Sequence, residues 1–524
     1  MNSMPASVKI LVIYLVCIPL ALFLGYQISN PYSREAFTTI GIVLLVLVTP
    51  LLLRWHRPFL FFSLGTSMVA FFLPGRPRVG LVMVAVSLLI SILQRTLQHR
   101  FRFVRAPEIT WPLMAVIAVV LTTMFLRGGL GFSAFGSKNV GGSRYLMLLL
   151  GVLSFFALTA QKIPRERVNA YVGLFFLGGI TAIIGDLFTF APPALHPIFL
   201  VFPPSMEMRS GEVTFGVTRL FGVGLMAASV YRYMLARYGL RGIFYGSTRF
   251  RLVGFIFLTG LSSLGGFRSI IIGLMLLFGV MFYLEGLHRT RLLVPLLVVG
   301  ALAVVLVIAM LPSMPLTVQR ALAFLPLEVD PAARLSAESS SEWRYEMWKA
   351  VWPEVPNYLL LGKGLGFPEA DFEAIQNIEL SARSPDHWMW AVITGDFHNG
   401  PLSVLLTFGI WGVIAFVWLH LAGLRALIRN YRYGDPELRT VNTFMLTAYF
   451  VQMVMFWFVF GSMYSETIIF VSFLGFSVAV NGGVAHARVE AQAALSLRGE
   501  RDRPAMLTPV APAGVGANLR GRET

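Results

Sequence analysis

Long apolar runs follow one another along most of the chain, and short polar segments separate them. About fourteen of these runs approach the ~20 mostly apolar residues that a helix needs to cross the ~30 Å hydrocarbon core of a bilayer. The first run lacks a small-residue cleavage site, which indicates a retained helix and not a signal peptide. The pattern predicts an all-α fold, a polytopic transmembrane helical bundle. The predicted helices lie at 8–28, 36–53, 58–74, 79–94, 110–126, 144–161, 169–190, 213–234, 243–264, 268–285, 292–311, 400–424, 440–461 and 465–481.

The longest interruption lies between the eleventh and twelfth runs, and it divides the chain into four parts. Residues 1–311 carry the first eleven helices, 312–399 form one large loop, 400–484 carry the last three helices, and 485–524 form a polar tail. The tail is rich in Ala, Pro, Gly and Arg, a composition that is typical of disordered segments.

The large loop contains two structural signals of its own. The stretch EWRYEMWKAVW at 342–352 predicts an amphipathic helix, which Ser339 to Ser341 would cap and Pro353 would end. The stretch LLGKGLGF at 360–367 lacks the spacing of a phosphate-binding loop, so it predicts a chain reversal.

The composition excludes an ordinary soluble protein. Of the 524 residues, 56% are hydrophobic and 13% are charged, with a mean hydropathy of +0.72, whereas soluble domains carry about 25% charged residues. The single cysteine, Cys17, lies in the first predicted helix. The chain therefore forms neither an intramolecular disulfide nor a cysteine-based metal cluster.

Basic residues alternate between successive loops, and this alternation predicts the orientation. Lys and Arg are enriched in cytoplasmic loops, and basic clusters follow every second predicted helix, which puts both termini in the cytoplasm and the large loop outside. The net charge of +16 is therefore interpreted as a topology signal. The basic residues are also expected to contact anionic lipid headgroups and not to form a nucleic-acid groove. The clusters are Arg54 and Arg57; Arg95, Arg100, Arg102 and Arg105; Lys162, Arg165 and Arg167; Arg232, Arg237, Arg241, Arg249 and Arg251; Arg289 and Arg291; and Arg425, Arg429, Arg432 and Arg439.

Three chargeable side chains are predicted at one outer level of the bundle. Arg219 is placed about a turn and a half into the eighth helix, Arg268 opens the tenth, and His398 opens the twelfth. Ionisable groups at membrane depth are costly and tend to mark function. Each also has a plain structural interpretation, because arginines can snorkel to headgroups or flank a helix and a histidine can lie at the interface. Asp186 and Glu212 are left open, as partners of the arginines or as solvated edge residues.

Taken together, the three side chains favour phosphate chemistry. Guanidinium groups bind phosphate oxygens bidentately. The positive end of the helix dipole and the nearby arginines favour a neutral His398 imidazole, the form that accepts a proton. Such a site suits the attack of an acceptor hydroxyl on a sugar held on a lipid pyrophosphate, because that leaving group needs charge stabilisation. The sequence offers no metal-ligand cluster, so the arginines would replace a divalent cation. Asn399 is a candidate helix cap, and Asp396 a candidate for orienting the imidazole.

Three motifs resemble those of the O-antigen ligase and O-antigen polymerase (Wzy-like) superfamily of bacterial membrane glycosyltransferases. TRLFG at 218–222 is similar to the family's Arg-x-x-Gly motif, and SSLGGFRSIIIGL at 262–274 to its Ser-Arg-Gly-like helix start. RYEMWKAVWPEVPNYLLLGKGLGF followed by DFHNGPLSVLLTFGIWGVIAF resembles its order of Arg, Trp, Pro, Gly-x-Gly, His-Asn, Leu and Gly. The resemblance covers about 170–480 and is strongest from 213 to 425.

The resemblance implies a GT-C-like fold and a role for each matching residue. Arg219 and Arg268 would bind the pyrophosphate of an undecaprenyl-linked glycan, His398 would activate the acceptor hydroxyl, and Arg344 would contact substrate. The implied reaction is inverting, needs no metal or other cofactor, and takes place on the periplasmic side of the bacterial inner membrane. The implied acceptor is lipid A-core or another glycan.

The sequence departs from the family pattern at two positions and in its helix number. Phe267 stands before Arg268 where Ser or Thr is usual, and Pro401 follows His-Asn-Gly where a larger residue is common. The predicted helices also outnumber the twelve that are usual for the ligases.

Three functions therefore remain open at this point. The first is a ligase that transfers a lipid-linked glycan to lipid A-core, and the second is a polymerase of the same superfamily. The third is a lipid-linked oligosaccharide flippase or other transporter. Transporters commonly show internal repeats and polar sites near the midplane, whereas the polar residues here gather at the outer edge, which favours an enzyme.

Overall fold

The computed structural model shows a helical bundle in which seven of the described helical segments are long and apolar enough to cross a membrane. These segments are Val79–Leu97, Pro107–Arg127, Arg165–Phe188, Leu293–Ser313, Gly400–Tyr433, Pro436–Phe458 and Met463–Asn481. Two shorter apolar helices, Gly142–Leu158 and Arg268–Leu284, accompany them. The structure describes residues 14–15, 17–19, 21–23, 25–26, 34–73, 75–98, 102–129, 131, 139–205, 208, 219–246, 248–368 and 389–487.

The α-helices of the described residues are numbered in chain order. Before the large loop they are α1 (Arg34–Gly65), α2 (Val79–Leu97), α3 (Pro107–Arg127), α4 (Gly142–Leu158), α5 (Val168–Leu177), α6 (Ala182–Phe188), α7 (Phe221–Phe244), α8 (Arg249–Ser262), α9 (Arg268–Leu284) and α10 (Leu293–Met310). From the loop onwards they are α11 (Leu316–Leu322), α12 (Pro331–Val351), α13 (Val355–Tyr358), α14 (Met389–Thr394), α15 (Gly400–Tyr433), α16 (Arg439–Phe458) and α17 (Met463–Asn481). Two short strands, β1 (Asn139–Val140) and β2 (Phe367–Pro368), pair antiparallel.

The core of the bundle is rich in aromatic side chains, and several of the fully buried ones lie in the C-terminal helices. Phe416 of α15, Phe456 of α16 and Phe470 of α17 are fully buried, and the Phe470 ring meets the other two edge-on. Such aromatic pairs add about 0.5–1.5 kcal/mol beyond the burial of their area. Helix α10, in contrast, is strongly apolar and has no buried residue, so it lies on the outside of the bundle.

One correction concerns the second and third predicted helices, 36–53 and 58–74. The structure has a single helix, α1, which contains both Arg54 and Arg57. The segment between the two apolar runs does not turn the chain, because its polar groups find partners inside the bundle. Arg57 donates to the side chain and the carbonyl of Gln161, at 2.9 and 2.6 Å, and His56 Nδ1 lies 2.8 Å from Ser87 Oγ.

A second correction concerns the eighth predicted helix, 213–234. The described helix, α7, begins at Phe221 and ends at Phe244, so Arg219 precedes the helix and does not lie inside it. The helix start is fixed by Asp186, whose carboxylate accepts a hydrogen bond from the Gly222 amide at 2.6 Å. Arg232, predicted near the end of the eighth helix with the basic residues around the following loop, lies in the middle of α7 and interacts electrostatically with Glu466 of α17.

The amphipathic loop helix is longer than the sequence suggests and is capped elsewhere. Helix α12 starts eleven residues before the predicted start at 342, and Asp330 caps it by accepting from the Ala332 amide at 2.8 Å. The predicted caps, Ser339 to Ser341, therefore lie inside the helix. Proline at the first helical position and aspartate before it form a stronger start signal than the serine run.

The glycine-rich turn of the loop packs into a break in α15. Gly409 has a φ of +65° inside that helix, and the turn supplies partners for the freed backbone groups. Lys363 donates its amide to Leu406 O at 2.7 Å, and Gly364 to Thr407 O at 3.0 Å. The carbonyls of Leu406 and Thr407, in the helix that begins two residues after His398, are in this way clamped to the loop.

Replacing Gly362 by alanine is expected to destabilise the protein by more than about 1–2 kcal/mol, the cost of a left-handed backbone for a residue with a Cβ. Its φ is +72°, and a Cβ would lie 2.2 Å from the Thr407 carbonyl oxygen. Thermal unfolding in detergent measures the effect. The control is Gly254→Ala in α8, where a Cβ meets nothing within 4 Å, so the melting temperature should stay the same or rise. Equal melting temperatures for both variants would contradict the clamp.

Candidate functional site

His398 lies in a strained turn between two aromatic rings. Its φ is +50°, a left-handed conformation that residues other than glycine rarely adopt. The imidazole contacts the rings of Trp343 and Phe460 edge-on, each at 5.0 Å between centroids, and its side chain is 15% exposed. Strain of this kind, held by surrounding contacts, is typical of functional sites.

The Nδ1 atom of His398 faces Asp396. It lies 3.0 Å from the Asp396 carbonyl oxygen and 3.2 Å from Oδ1 of the same residue. Two oxygens on that side make Nδ1 the protonated nitrogen of the neutral ring, so Nε2 is the atom that accepts a proton. Asn399 accepts from the Leu402 amide at 3.0 Å through its side chain and thereby caps α15.

Asp396 is held as a carboxylate. Burial raises its pKa, but hydrogen bonds and charge from His398, with a further hydrogen bond from Ser462, outweigh burial and keep the pKa below its usual value. Tyr464 donates weakly to Oδ2, at 3.5 Å. Because the carboxylate stays ionised above acidic pH, it can accept from Nδ1 and orient the imidazole.

Arg144 is a residue that the sequence reasoning missed. It lies in the first turn of α4, its guanidinium is 4.8 Å from the centre of the Phe367 ring, and it interacts electrostatically with Asp396 and Tyr464. Asp396 therefore interacts with the cation of Arg144 as well as with His398. The sequence contained a usable signal, because GGSR at 141–144 repeats the Gly-Gly-x-Arg pattern of GGFR at 265–268.

Arg344 connects the histidine to the other two predicted arginines. Its guanidinium lies 5.9 Å from the centre of the Phe460 ring, the ring that also contacts His398. Burial, followed by the charges of Arg268 and Arg219, lowers the pKa of Arg344 to about 10, and the charge of Asp396 opposes them. Arg219, Arg268 and Asp396 thus all lie within electrostatic range of Arg344.

Arg268 joins the start of α9 to the loop helix α12. Its Nη2 atom donates to the Ala337 carbonyl at 3.0 Å and to Ser341 Oγ at 2.9 Å.

The turn before Arg268 is held by Arg320, another residue that sequence reasoning missed. Arg320 is buried, donates to Ser336 Oγ at 2.9 Å and also donates to the Gly266 carbonyl. The large loop therefore fixes the position of Arg268 from two sides.

Arg219 packs on the same turn. Its guanidinium lies 5.6 Å from the centre of the Phe267 ring, and a Cβ at Gly266 would come within 3.3 Å of its Cγ. The guanidinium of Arg219 thus packs on the ring of Phe267, one of the departures from the family pattern.

Asp186 is buried and accepts from the Gly222 amide at 2.6 Å and the Ser205 amide at 2.8 Å, so it positions the chain beside Arg219. Glu212 lies outside the described residues.

Replacing Asp186 by alanine is expected to cost about 1.5–3 kcal/mol of stability, because two backbone donors lose a charged acceptor, and to weaken any ligand binding that depends on Arg219. Chemical unfolding in detergent measures the first effect. The control is Asp330→Ala, which removes the exposed cap of α12 and should cost about 1 kcal/mol or less. An Asp186 variant as stable as the control would show that the carboxylate does not hold the start of α7.

A cavity of about 720 Å³ extends into the bundle beside these residues. Its wall contains residues that lie close to Arg219 and Arg268 in the sequence. It also contains Phe460, the ring that contacts His398. Deeper in the bundle, Gln452 donates to Glu466, and Arg232 lies near the same carboxylate. The lining includes Phe221, Gly222, Ser229, Arg232, Ser269, Ile270, Gln452, Phe460 and Glu466. The cavity thus carries polar groups from the loop end of the bundle to membrane depth.

The family comparison agrees with these motifs. The model of the O-antigen ligase family matches residues 252–417, a range that holds Arg268, Arg344, Asp396, His398 and Asn399 but begins after Arg219. No curated protein matches the chain. The matched region includes the large loop, the break at Gly409 and the histidine turn, so this part of the chain is similar to the O-antigen ligase family.

Proposed function

We propose that the protein is a membrane glycosyltransferase of the O-antigen ligase type. It transfers a glycan from an undecaprenyl-pyrophosphate carrier to a hydroxyl of lipid A-core or a similar acceptor. We further propose that the site faces the periplasm, that the chain lies in the bacterial inner membrane, and that both termini are cytoplasmic. In this proposal the parts 1–311 and 400–484 form the membrane bundle, 312–399 is the periplasmic loop, and 485–524 is a cytoplasmic tail.

The observation that carries the proposal is a group of three guanidiniums, of which Arg344 contacts the same Phe460 ring as His398. Arg219 and Arg268 lower the pKa of the half-buried Arg344, which means that both positive charges repel its guanidinium. An anion with several oxygens relieves that repulsion, and guanidinium groups bind phosphate oxygens bidentately. A pyrophosphate attached to a lipid carries such an anion to the membrane surface.

The chemistry follows from the positions of His398 and the arginines. Nε2 of His398 takes the proton of the acceptor hydroxyl, and the oxygen attacks the anomeric carbon of the donor sugar from the face opposite the pyrophosphate. The bond between that carbon and the phosphate oxygen breaks, and the pyrophosphate leaves with the electron pair, so the configuration inverts. The arginines stabilise the charge that develops on the leaving group, and Asp396 stabilises the imidazolium.

Reconstitution with defined substrates tests the function. The purified protein is incubated with a labelled undecaprenyl-pyrophosphate glycan, with and without lipid A-core. One glycan joined to lipid A-core supports the ligase, whereas a ladder of longer glycans on the carrier identifies a polymerase of the same superfamily. Movement of the labelled donor across vesicle membranes without any new glycosidic product would overturn the proposal in favour of a transporter.

A further inference from the structure

A second cavity, of about 1080 Å³, lies at the end of the bundle opposite His398. Helix α3 shows the distance between the two ends. Its last residue, Arg127, stacks 5.8 Å from the Tyr358 ring of the large loop, whereas Pro107 and Trp111 at its other end line the cavity. Twenty-one residues at 1.5 Å each span about 30 Å, the thickness of the hydrocarbon core. The cavity and the histidine site therefore face opposite surfaces of the membrane.

The walls of this cavity are apolar and open sideways. Leu88 and Ile92 of α2, Trp111 of α3, and Phe155 and Phe156 of α4 line it. Ile92 and Trp111 are 48% and 66% exposed, so the cavity is a groove on the outer surface of the bundle. Tryptophan at this depth is typical of the interface between acyl chains and headgroups.

The rim of the groove carries two arginines and, among the residues that line it, no carboxylate. Arg95 ends α2 and stacks 5.5 Å from the Phe103 ring, and Arg105 lies in the segment that leads into α3. The nearest acidic residue in the sequence, Glu108, contacts Arg429 and His486 at 3.6 Å instead. The positive charge at the rim is thus not neutralised from within the groove.

We propose that this groove binds one anionic phospholipid of the membrane leaflet opposite the histidine site. The phosphate lies between Arg95 and Arg105, and the acyl chains lie along the apolar walls and past Trp111. Basic rims above apolar grooves between membrane helices are suited to anionic headgroups, and each such arginine strengthens binding about fivefold. The proposal does not depend on the reaction carried out at His398.

Native mass spectrometry of the purified protein tests the site. The probes are tetraoleoyl cardiolipin, dioleoyl phosphatidylglycerol and dioleoyl phosphatidylcholine, each titrated alone and in competition. The wild-type protein is expected to retain one anionic lipid that the choline lipid does not displace. Arg95→Gln with Arg105→Gln is expected to lower the affinity for that lipid about 30-fold.

The matched control is Arg102→Gln with Arg432→Gln, two exposed arginines of the same end that line no part of the groove. It removes the same charge and should change the affinity less than about threefold. An equal loss of lipid affinity in both double variants would show that the effect comes from overall charge, and it would overturn the proposed site. So would equal retention of the choline lipid by the wild-type protein, a comparison that needs no variant. Stronger retention of a polyprenyl phosphate than of any phospholipid would likewise overturn the assignment.

Discussion

Replacing His398 by asparagine is expected to lower glycan transfer about 10²–10⁴-fold, the range for loss of a positioned general base. Asparagine removes the nitrogen that accepts the proton but tolerates the left-handed backbone at φ +50°. The turn and the cap by Asn399 should therefore survive, and the melting temperature should change little. Transfer is measured with saturating donor and acceptor, and donor binding is measured separately, because the arginines that bind the pyrophosphate remain.

The matched control for this variant is His288→Asn, a partly buried histidine in the turn after α9. It should transfer glycan at the wild-type rate. A His398→Asn protein that folds, binds donor and still transfers within about threefold of the wild type would remove the base role, since a positioned base contributes at least about 10²-fold. Loss of donor binding together with transfer would instead show that His398 holds the site together and does not act as its base.

The fold could be predicted where an apolar run alone determines the element. Helices α9 and α10 agree with the predicted 268–285 and 292–311 within one residue at each end. The prediction was wrong where contacts with distant parts of the chain determine the element. The polar residues His56 and Arg57 were predicted to lie in a loop. Their side chains instead contact Ser87 and Gln161 while they remain inside one helix. Arg232 was predicted at the end of a transmembrane helix, because its partner, Glu466, lies more than two hundred residues away and is not evident from the local sequence.

The arrangement of the candidate site could be predicted only in part for the same reason. His398, Arg219, Arg268 and Arg344 were proposed from the sequence because each stands out against an apolar background or matches a family motif. Their mutual placement was not available from the sequence, since it depends on the aromatic ring of Phe460 and on contacts across the large loop. The supporting residues Arg144, Arg320 and Asp186 were missed or left open because their roles come from those contacts.

Replacing Arg219 by glutamine is expected to lower transfer about 10²–10³-fold, the cost of removing one group that stabilises developing charge. Arg219→Lys should recover only part of the loss, because lysine keeps the charge but cannot make the bidentate contact. The change is measured as transfer rate and as affinity for the lipid-pyrophosphate donor. The control is Lys349→Gln, an exposed cation on α12, which should leave both unchanged. Full rescue by lysine would show that only a point charge is needed.

A double-variant cycle with Arg344 separates a shared anion from two independent effects. Arg219 lowers the pKa of Arg344, so Arg219→Gln also relieves repulsion on that half-buried guanidinium. Arg219→Gln and Arg344→Gln should therefore be non-additive, with a coupling of about 0.5–3 kcal/mol in transfer or donor binding. Arginines that hold one pyrophosphate must show such coupling, because the loss of one changes the charge that the other faces. Strict additivity would place the two arginines on different ligands, and the three-guanidinium site would then not exist as a unit.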